Sequence, residues 1–339
     1  MPYKDIYILC PYGLVTGGPD ALHQLAYYLK ELRQNAHIIY NDINRRNKAI
    51  PNAYQKYIND YLLLKDIVDD DKNAIIVPET LTHYLDKYTN IHKYVWWLSV
   101  DNNYSLTESK HKIRKILKKV FSLDNFKKLY KIRTLKDFIK NKKYEFKDDN
   151  VIHLCASHYA YKHVCDRAIN KDNVKLLIEP ISKYFLEHPY EEKEKEDIVL
   201  YNPKKNGEYL KKIIKLLPST KFVKLEGFNQ SQLIDVYSKA KLYVDFGSFP
   251  GAERMPKEAV RYGCAIITGK RGAASFYKDV VIDDEFKFDE TEENIPLIVN
   301  KIQEVMANYS SLFPKFDAYR ETVNNLEKNF IDRLKEEFC

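Results

Sequence analysis

Asp245-Phe246-Gly247-Ser248-Phe249-Pro250-Gly251-Ala252-Glu253-Arg254-Met255-Pro256-Lys257-Glu258-Ala259 is the stretch that decides how this chain folds. It starts where the apolar run Lys241 to Asp245 ends. It then passes through a turn rich in glycine and proline into a helical pattern that begins about Pro256 and stops at Gly263. A second apolar run, Cys264 to Thr268, follows at once. Strand, loop, helix, strand is the unit of a parallel sheet, because parallel neighbours need a crossover and the crossover is usually a helix. Ligands of open parallel sheets collect in the loops after the strands. This loop opens a helix, whose free N–H groups and dipole favour an anion. Arg254 offers a forked cation that suits a diphosphate. Glu258 is placed to accept the two hydroxyls of a ribose, although an acid in a first turn also serves plain helix capping.

The same pattern runs outward in both directions. Asp5 to Cys10 reads as a strand, followed by a loop with Gly13, Gly17 and Gly18. A helix then has Pro19 at its first position and Leu22, Leu25, Ala26, Leu29 and Leu32 on one face. Ala36 to Tyr40, Ala74 to Val77, Tyr94 to Val100, Val151 to Ala156 and Val174 to Ile178 continue this first series, which closes near Glu179-Pro180. The acidic, polar run Tyr190 to Asp197 fits a surface connection. Ile198 to Tyr201, Lys221 to Leu225, Lys241 to Asp245 and Cys264 to Thr268 form a second series, with helical patterns at Leu210 to Leu217 and Gln232 to Ala240. Tyr319 to Phe338 reads as one last amphipathic helix. No repeat of fixed period and no low-complexity tract interrupts the two series.

A chain of 339 residues with 45% hydrophobic content is long and apolar enough for two buried cores, which excludes global disorder. Its formal net charge of +7 suits an anionic partner without choosing among nucleotide, lipid head group and nucleic acid. The five cysteines, Cys10, Cys155, Cys165, Cys264 and Cys339, show no CxxC spacing and read mostly as small core residues in a reducing compartment. The N-terminus enters a strand without an apolar signal core, and no apolar run approaches the ~20 residues that span a bilayer. A cytoplasmic protein is expected, one able to dock on the inner membrane face. Ser109 to Lys147 is rich in Lys and Arg, with Ile113, Ile116, Leu117, Val120 and Phe121 at helical spacing. That segment reads either as covering helices with solvated faces or as a basic surface for anionic lipid.

Other strand ends carry chemistry of the same kind. Tyr201-Asn202-Pro203-Lys204-Lys205-Asn206-Gly207 puts two lysines after the first strand of the second series, where they serve a pyrophosphate or merely a solvated turn. Leu225-Glu226-Gly227-Phe228 is placed to pack against a base. Gly269-Lys270-Arg271-Gly272-Ala273-Ala274 lacks the Ser or Thr and the earlier glycine of a Walker A loop, so backbone N–H contact with phosphate or sugar is expected, not a P-loop NTPase. Gly17-Gly18-Pro19-Asp20 lets a backbone approach a ligand closely, but it lacks the GxGxxG of a dinucleotide site. His153, His158 and His163 lie near Cys155 and Cys165. Placed on a strand and around a following helix start, they do not converge on one point, so no metal site is expected. Trp96-Trp97 reads as core, with Ser99 to Asn103 at the strand end as a possible lining of an acceptor.

Gly17-Gly18 followed by Asp20, Leu25-Ala26, Leu29 and His37 resembles the opening of the GT-B glycosyltransferases, especially glycosyltransferase family four. Pro256-Lys257-Glu258-Ala259, with Gly263-Cys264-Ala265-Ile266-Ile267-Thr268 after it, resembles that family's acidic motif and following strand. Asp245 to Ala274 together with Asn202-Pro203-Lys204-Lys205 is similar to bacterial enzymes of capsule and surface-polysaccharide assembly. The resemblance implies an α/β, GT-B fold of two Rossmann-like domains whose parallel sheets face across a cleft. Residues 1–180 would be the acceptor-side domain, with a basic helical insertion at 103–150, and residues 181–315 the donor domain. Residues 316–339 would form a C-terminal helix packing back on the first domain.

The implied activity is a metal-independent, hexosyltransferase-like transfer from a nucleotide-diphosphate sugar to a glycan or lipid-linked acceptor, with no further cofactor and no nucleic acid. Lys204, Lys205 and Arg254 would neutralise the diphosphate, Glu258 would hold the ribose, and Glu226 and Phe228 would lie near the base. Asn202, Gly269 and Gly272 would line the donor, and the Gly17-Gly18 loop would face it. The family has a further glutamate, contacting the sugar, ahead of the acid that Glu258 matches. Here the position eight before Glu258 is Pro250, and Glu253 is the nearest acid to take that role. An inverting reaction needs a base from the first domain, for which Asp20, His158, His23, Glu79 and Asp101 are candidates; a retaining one needs none. The readings left beside this one are another GT-B activity (a nucleotide-sugar epimerase or a polyol-phosphate polymerase) and a non-catalytic nucleotide-sugar-binding partner.

Overall fold

The computed structural model describes residues 3–43, 48–104 and 144–339. Most of the basic segment singled out above lies outside them. Two compact units emerge, Met1–Ile178 with Ile331–Cys339, and Glu179–Phe330.

In the first unit the chain runs β1 (Asp5–Cys10), α1 (Gly17–Glu31), β2 (Ala36–Tyr40), β3 (Asn73–Pro78), β4 (His92–Trp97), α2 (Val100–Tyr104), β5 (Ile152–Cys155), α3 (His158–Cys165) and β6 (Val174–Leu176). The strands form one parallel sheet in the order β2-β1-β3-β4-β5-β6. Beyond their first residues, Asp5 and Asn73, the central strands are apolar because both of their faces are covered: Ile6, Ile8 and Leu9 of β1, and Ala74 to Val77 of β3, are fully buried. α1 lays Ala21, Leu22, Leu25, Ala26 and Leu29 against this sheet. It begins at Gly17, two residues before the proline expected to open it.

Trp96 and Trp97 are core residues with no exposure, and each finds a partner for its indole N–H. Trp96 donates to the Leu177 carbonyl at 3.0 Å and Trp97 to His153 Nδ1 at 3.2 Å. The Phe146 ring stacks on Trp97 at 5.4 Å, so the C-terminal end of the basic stretch is tied to the core by an aromatic contact. His153 therefore accepts through Nδ1 and carries its proton on Nε2.

The second unit runs α4 (Lys183–Glu187), β7 (Glu196–Tyr201), α5 (Gly207–Leu216), β8 (Lys221–Lys224), α6 (Gln230–Lys239), β9 (Ala240–Asp245), α7 (Arg254–Arg261), β10 (Ala265–Gly269) and β11 (Lys287–Phe288). After these come α8 (Ile295–Ala307), α9 (Tyr309–Leu312), α10 (Asp317–Asn324) and α11 (Leu326–Phe338). Its parallel sheet has the order β11-β10-β9-β7-β8. α6 starts with a reciprocal cap: Asn229 Oδ1 accepts from Gln232 N and Gln232 Oε1 from Asn229 N, each at 2.9 Å. The single helix expected over Tyr319 to Phe338 is two, broken at Asn324-Asn325, a pair of weak helix formers. Residues of α11 through Phe330 group with the second unit, and those from Ile331 with the first. No described helix is long and apolar enough to cross a membrane.

Two histidines of the first unit are held neutral by burial. His23 stacks on Tyr54 at 3.9 Å, donates from Nδ1 to the Pro19 carbonyl at 2.6 Å and accepts through Nε2 from the Tyr40 hydroxyl at 2.9 Å. Burial lowers the pKa of both His23 and His153 to about 4. The unfolded chain, with histidine near 6.5, binds more protons than the folded one between those values. The stability they contribute is thus present above pH 6.5 and is lost as pH falls toward 4. Each should cost about 2 kcal/mol between pH 7 and pH 5. Urea unfolding of His153→Gln should accordingly lose about 2 kcal/mol less stability over that interval than the natural sequence. An equal loss in the two proteins would refute the assignment.

Candidate functional site

A parallel sheet whose chain leaves a strand first to one side and then to the other has a crevice at the reversal. In the second unit that point lies between β7 and β9, since β8 was added on one side of β7 and β9 on the other. The loops leaving these two strands, 202–206 and 246–253, therefore meet there, and the contacts show it. Lys205 Nζ lies 3.4 Å from Asp245 Oδ2, 2.8 Å from Glu253 Oε2 and 4.1 Å over the Phe249 ring. The Tyr243 hydroxyl donates to Asp245 Oδ2 at 2.9 Å.

Asp245 is 1% exposed, and burial raises its pKa to about 6, against the opposing pull of Lys205. One ammonium is thus shared by two carboxylates. Lys204 beside it is exposed, with its backbone N–H turned onto Asn202 Oδ1 at 3.0 Å. This local turn points the two lysines differently: one is locked at the crevice and the other extends into solvent.

α7 begins on the next turn of chain. Glu253 is its N-cap residue and Arg254 its first helical residue, two positions earlier than the sequence pattern suggested. Lys257 and Glu258 follow, 5% and 6% exposed. Glu258 Oε2 is 3.5 Å from the Tyr237 hydroxyl, so the acid expected at a ribose is in reach of a donor from α6. Burial lowers the pKa of Lys257 and raises that of Glu179, and the opposite charge of each is the leading force against the other's shift. The start of α7 thus gathers Glu253, Arg254, Lys257 and Glu258 within the cap and five helical positions; because the helix starts at Arg254, Glu258 falls just past the first turn in which the sequence placed it.

The loop after β10 closes the arrangement. Gly272 has φ 53°, and a Cβ there would overlap the Phe249 carbonyl oxygen, which already accepts from Ala273 N at 2.8 Å. The two loops are packed backbone to backbone, and only glycine fits between them. Gly269 ends β10 with its open side filled by the Glu290 carboxylate. Glu290, which no local pattern singled out, has a side chain without exposed surface, accepts from Gly247 N at 2.7 Å and from Asn206 Nδ2, and lies 3.5 Å from Arg271 Nε. Its only sequence signal is an acid just beyond a two-residue strand.

The remaining candidates are dispersed. Glu226 is exposed beside Lys224, 3.4 Å away, on the loop beyond edge strand β8 with Phe228, adjacent to β7 but with no described contact to the Lys205 cluster. In the first unit Gly17 and Gly18 open α1, and Asp20 Oδ2 accepts from Gln24 Nε2 at 2.8 Å. His158 opens α3 after the Ser157 cap. α1 follows β1 and α3 follows β5, three strand positions apart in that sheet, or about 14 Å. Asp20 and His158 are therefore not brought together. Among the other acids weighed as bases, Asp101 accepts from the Tyr159 hydroxyl at 3.0 Å and Glu79 from Leu98 N at 3.1 Å. His23 has both ring nitrogens engaged in the core.

Neither a family model nor a curated protein sequence matches the chain. Solved structures do match it. A sucrose-phosphate synthase from Thermosynechococcus elongatus is similar over 98% of each chain, with a TM-score of 0.58 and 13% identity. WaaG, a glycosyltransferase involved in lipopolysaccharide biosynthesis, matches 97% of this chain and 99% of its own, with a TM-score of 0.58 and 10% identity. A TarM variant from S. aureus, solved with fondaparinux, α-GlcNAc-glycerol and UDP, covers 99% and 97% at a TM-score of 0.58 and 9% identity. The fold is GT-B. At these identities the likeness speaks for the GT-B fold alone.

The packing of the two loops sets an expectation for stability. Gly272→Ala should lower the unfolding free energy of the second unit by more than about 1 kcal/mol, because it adds both a Cβ at positive φ and a collision with the Phe249 carbonyl. Chemical denaturation of the variant beside the unsubstituted protein checks it; equal stabilities would show that the loops separate without cost.

Proposed function

We propose that this protein is a glycosyltransferase that moves a sugar from a nucleoside diphosphate donor to a glycan or lipid-linked acceptor. The observation that carries the reading is the meeting of the Lys205 loop with the first turn of α7 at the switch point of the second sheet. Cations from the loop after β7 and from the first position of a helix bearing a buried acid are what a nucleoside diphosphate needs: charge for the phosphates and a carboxylate for the ribose. The GT-B fold, shared with structures described as glycosyltransferases and with one holding UDP, supports it.

In the proposed reaction the bond between the anomeric carbon and the diphosphate oxygen breaks, and negative charge grows on the departing diphosphate. Arg254, Lys205 and exposed Lys204 offset that charge. This is the work a metal ion does in other transferases, and here it is assigned to side chains. Glu258 holds the ribose and Glu253 stands nearest the sugar. Gly269 and Gly272 set the loop that flanks the phosphates, and Glu226 with Phe228 borders the base. The first unit supplies the acceptor side through the Gly17-Gly18 loop, with Asp20 or His158 as the base if the configuration inverts. The reaction is hexosyltransferase-like. The net charge of +7 suits an anionic, lipid-linked acceptor in bacterial surface-polysaccharide assembly, met at the cytoplasmic face of the inner membrane.

A thermal-shift screen of UDP-, GDP-, CDP- and dTDP-sugars tests the donor site. A ligand at a hundred times its dissociation constant adds about 2.7 kcal/mol to stability. One member of the set should raise Tm, and Arg254→Ala should abolish the shift and reduce transfer or donor hydrolysis about a hundredfold. No shift with any of the four sinks the donor-site reading. A shift without turnover on any acceptor would make the protein a nucleotide-sugar-binding partner instead of an enzyme.

A further inference from the structure

Glu290 stands where the loops of three strands come together, yet it faces no solvent. Its side chain has no exposed surface, so it is not a ligand contact. One oxygen accepts the Gly247 backbone N–H at 2.7 Å, fixing the first turn after β9. The other accepts from the Asn206 side-chain amide, fixing the last residue of the loop after β7. Arg271, on the loop after β10, approaches the carboxylate at 3.5 Å, and Gly269 at the end of β10 leaves the space that the carboxylate fills. Asn206 is held in the left-handed region, φ 33° and ψ 46°, immediately after Lys205. What Glu290 holds is thus the frame around Lys205 and the loop leading to Arg254.

We propose that Glu290 is the positioning residue of the nucleoside diphosphate site: it locks the three strand-end loops into the geometry that presents Lys205 and Arg254 to the phosphates. The inference rests on the donor-site reading. A buried carboxylate is suited to the task because it accepts from several donors at once, whereas a glutamine in its place turns one of its two ends into a donor facing another donor. The cost of that mismatch falls on the loop geometry and not on the sheet, whose strands pair without Glu290.

The test measures binding of UDP and GDP by calorimetry to the full chain and to three variants. Glu290→Gln should bind the preferred nucleotide at least about tenfold more weakly, and transfer assays should show the loss in donor KM more than in kcat, with Tm little changed. Asn206→Gly keeps the left-handed conformation while removing the amide that Glu290 holds, and should weaken binding in the same direction. If both act through one bond, the double variant should bind about as weakly as Glu290→Gln alone and not by the product of the two losses. Unchanged affinity in a folded Glu290→Gln overturns the proposal, as does a multiplicative double variant. Should Glu290→Gln not fold, unchanged affinity in Asn206→Gly overturns it. Failure of the unsubstituted protein to bind any nucleoside diphosphate would instead sink the donor-site reading beneath it.

Discussion

Covering both faces of a parallel sheet leaves one place for polar chemistry, the carboxyl ends of the strands. That constraint orders everything else in this chain. β1, β3, β9 and β10 are apolar through their middles, where both faces are covered, and their polar residues, Asp5, Asn73, Asp245 and Thr268 among them, stand at or next to strand ends. The candidate anion-binding groups Lys204, Lys205 and Arg254 accordingly stand in a loop or at the start of a helix. In the second unit the reversal of strand order between β7 and β9 concentrates these loops further, so residues 40 positions apart, Lys205 and Asp245, become neighbours.

The fold was legible because its signal is periodic and redundant. Apolar runs of four to seven residues recur with helical spacing between them, so a misplaced boundary, such as the start of α1 or α7, leaves the assignment intact. The break at Asn324-Asn325 was missed because amphipathic spacing continues across it. The candidate site could be picked out where charge sits near a turn: Lys204, Lys205, Arg254 and Glu258 all lie within two positions of a glycine or proline in the segments that follow a strand. It was illegible where the decisive partner comes from far along the chain. Glu290 lies 43 residues from Gly247 and 84 from Asn206, on a loop whose preceding strand pairs over only two residues. Local pattern carries no trace of such a meeting.

Sequence also failed to distinguish two lysines that stand side by side. Lys205 spends its charge on Asp245 and Glu253, while Lys204 reaches solvent, and the difference comes from an Asx turn on Asn202. Two carboxylates around one ammonium leave that cluster with an excess of negative charge when all three groups are ionised. An arriving anion must compete for Lys205 with partners already in place, which favours ligands that carry several charges close together over those with one.

Gly269 and Glu290 also bear on descent. The carboxylate occupies the volume that any side chain at position 269 would need, and it holds position 206 and position 247 at the same time. A larger residue at 269 is tolerated only if residue 290 shrinks or withdraws, and then the grip on the other two loops goes with it. These positions are bound to change as a set in diverging copies of the chain, so the family record of this pocket should read as correlated columns and not as independently drifting sites.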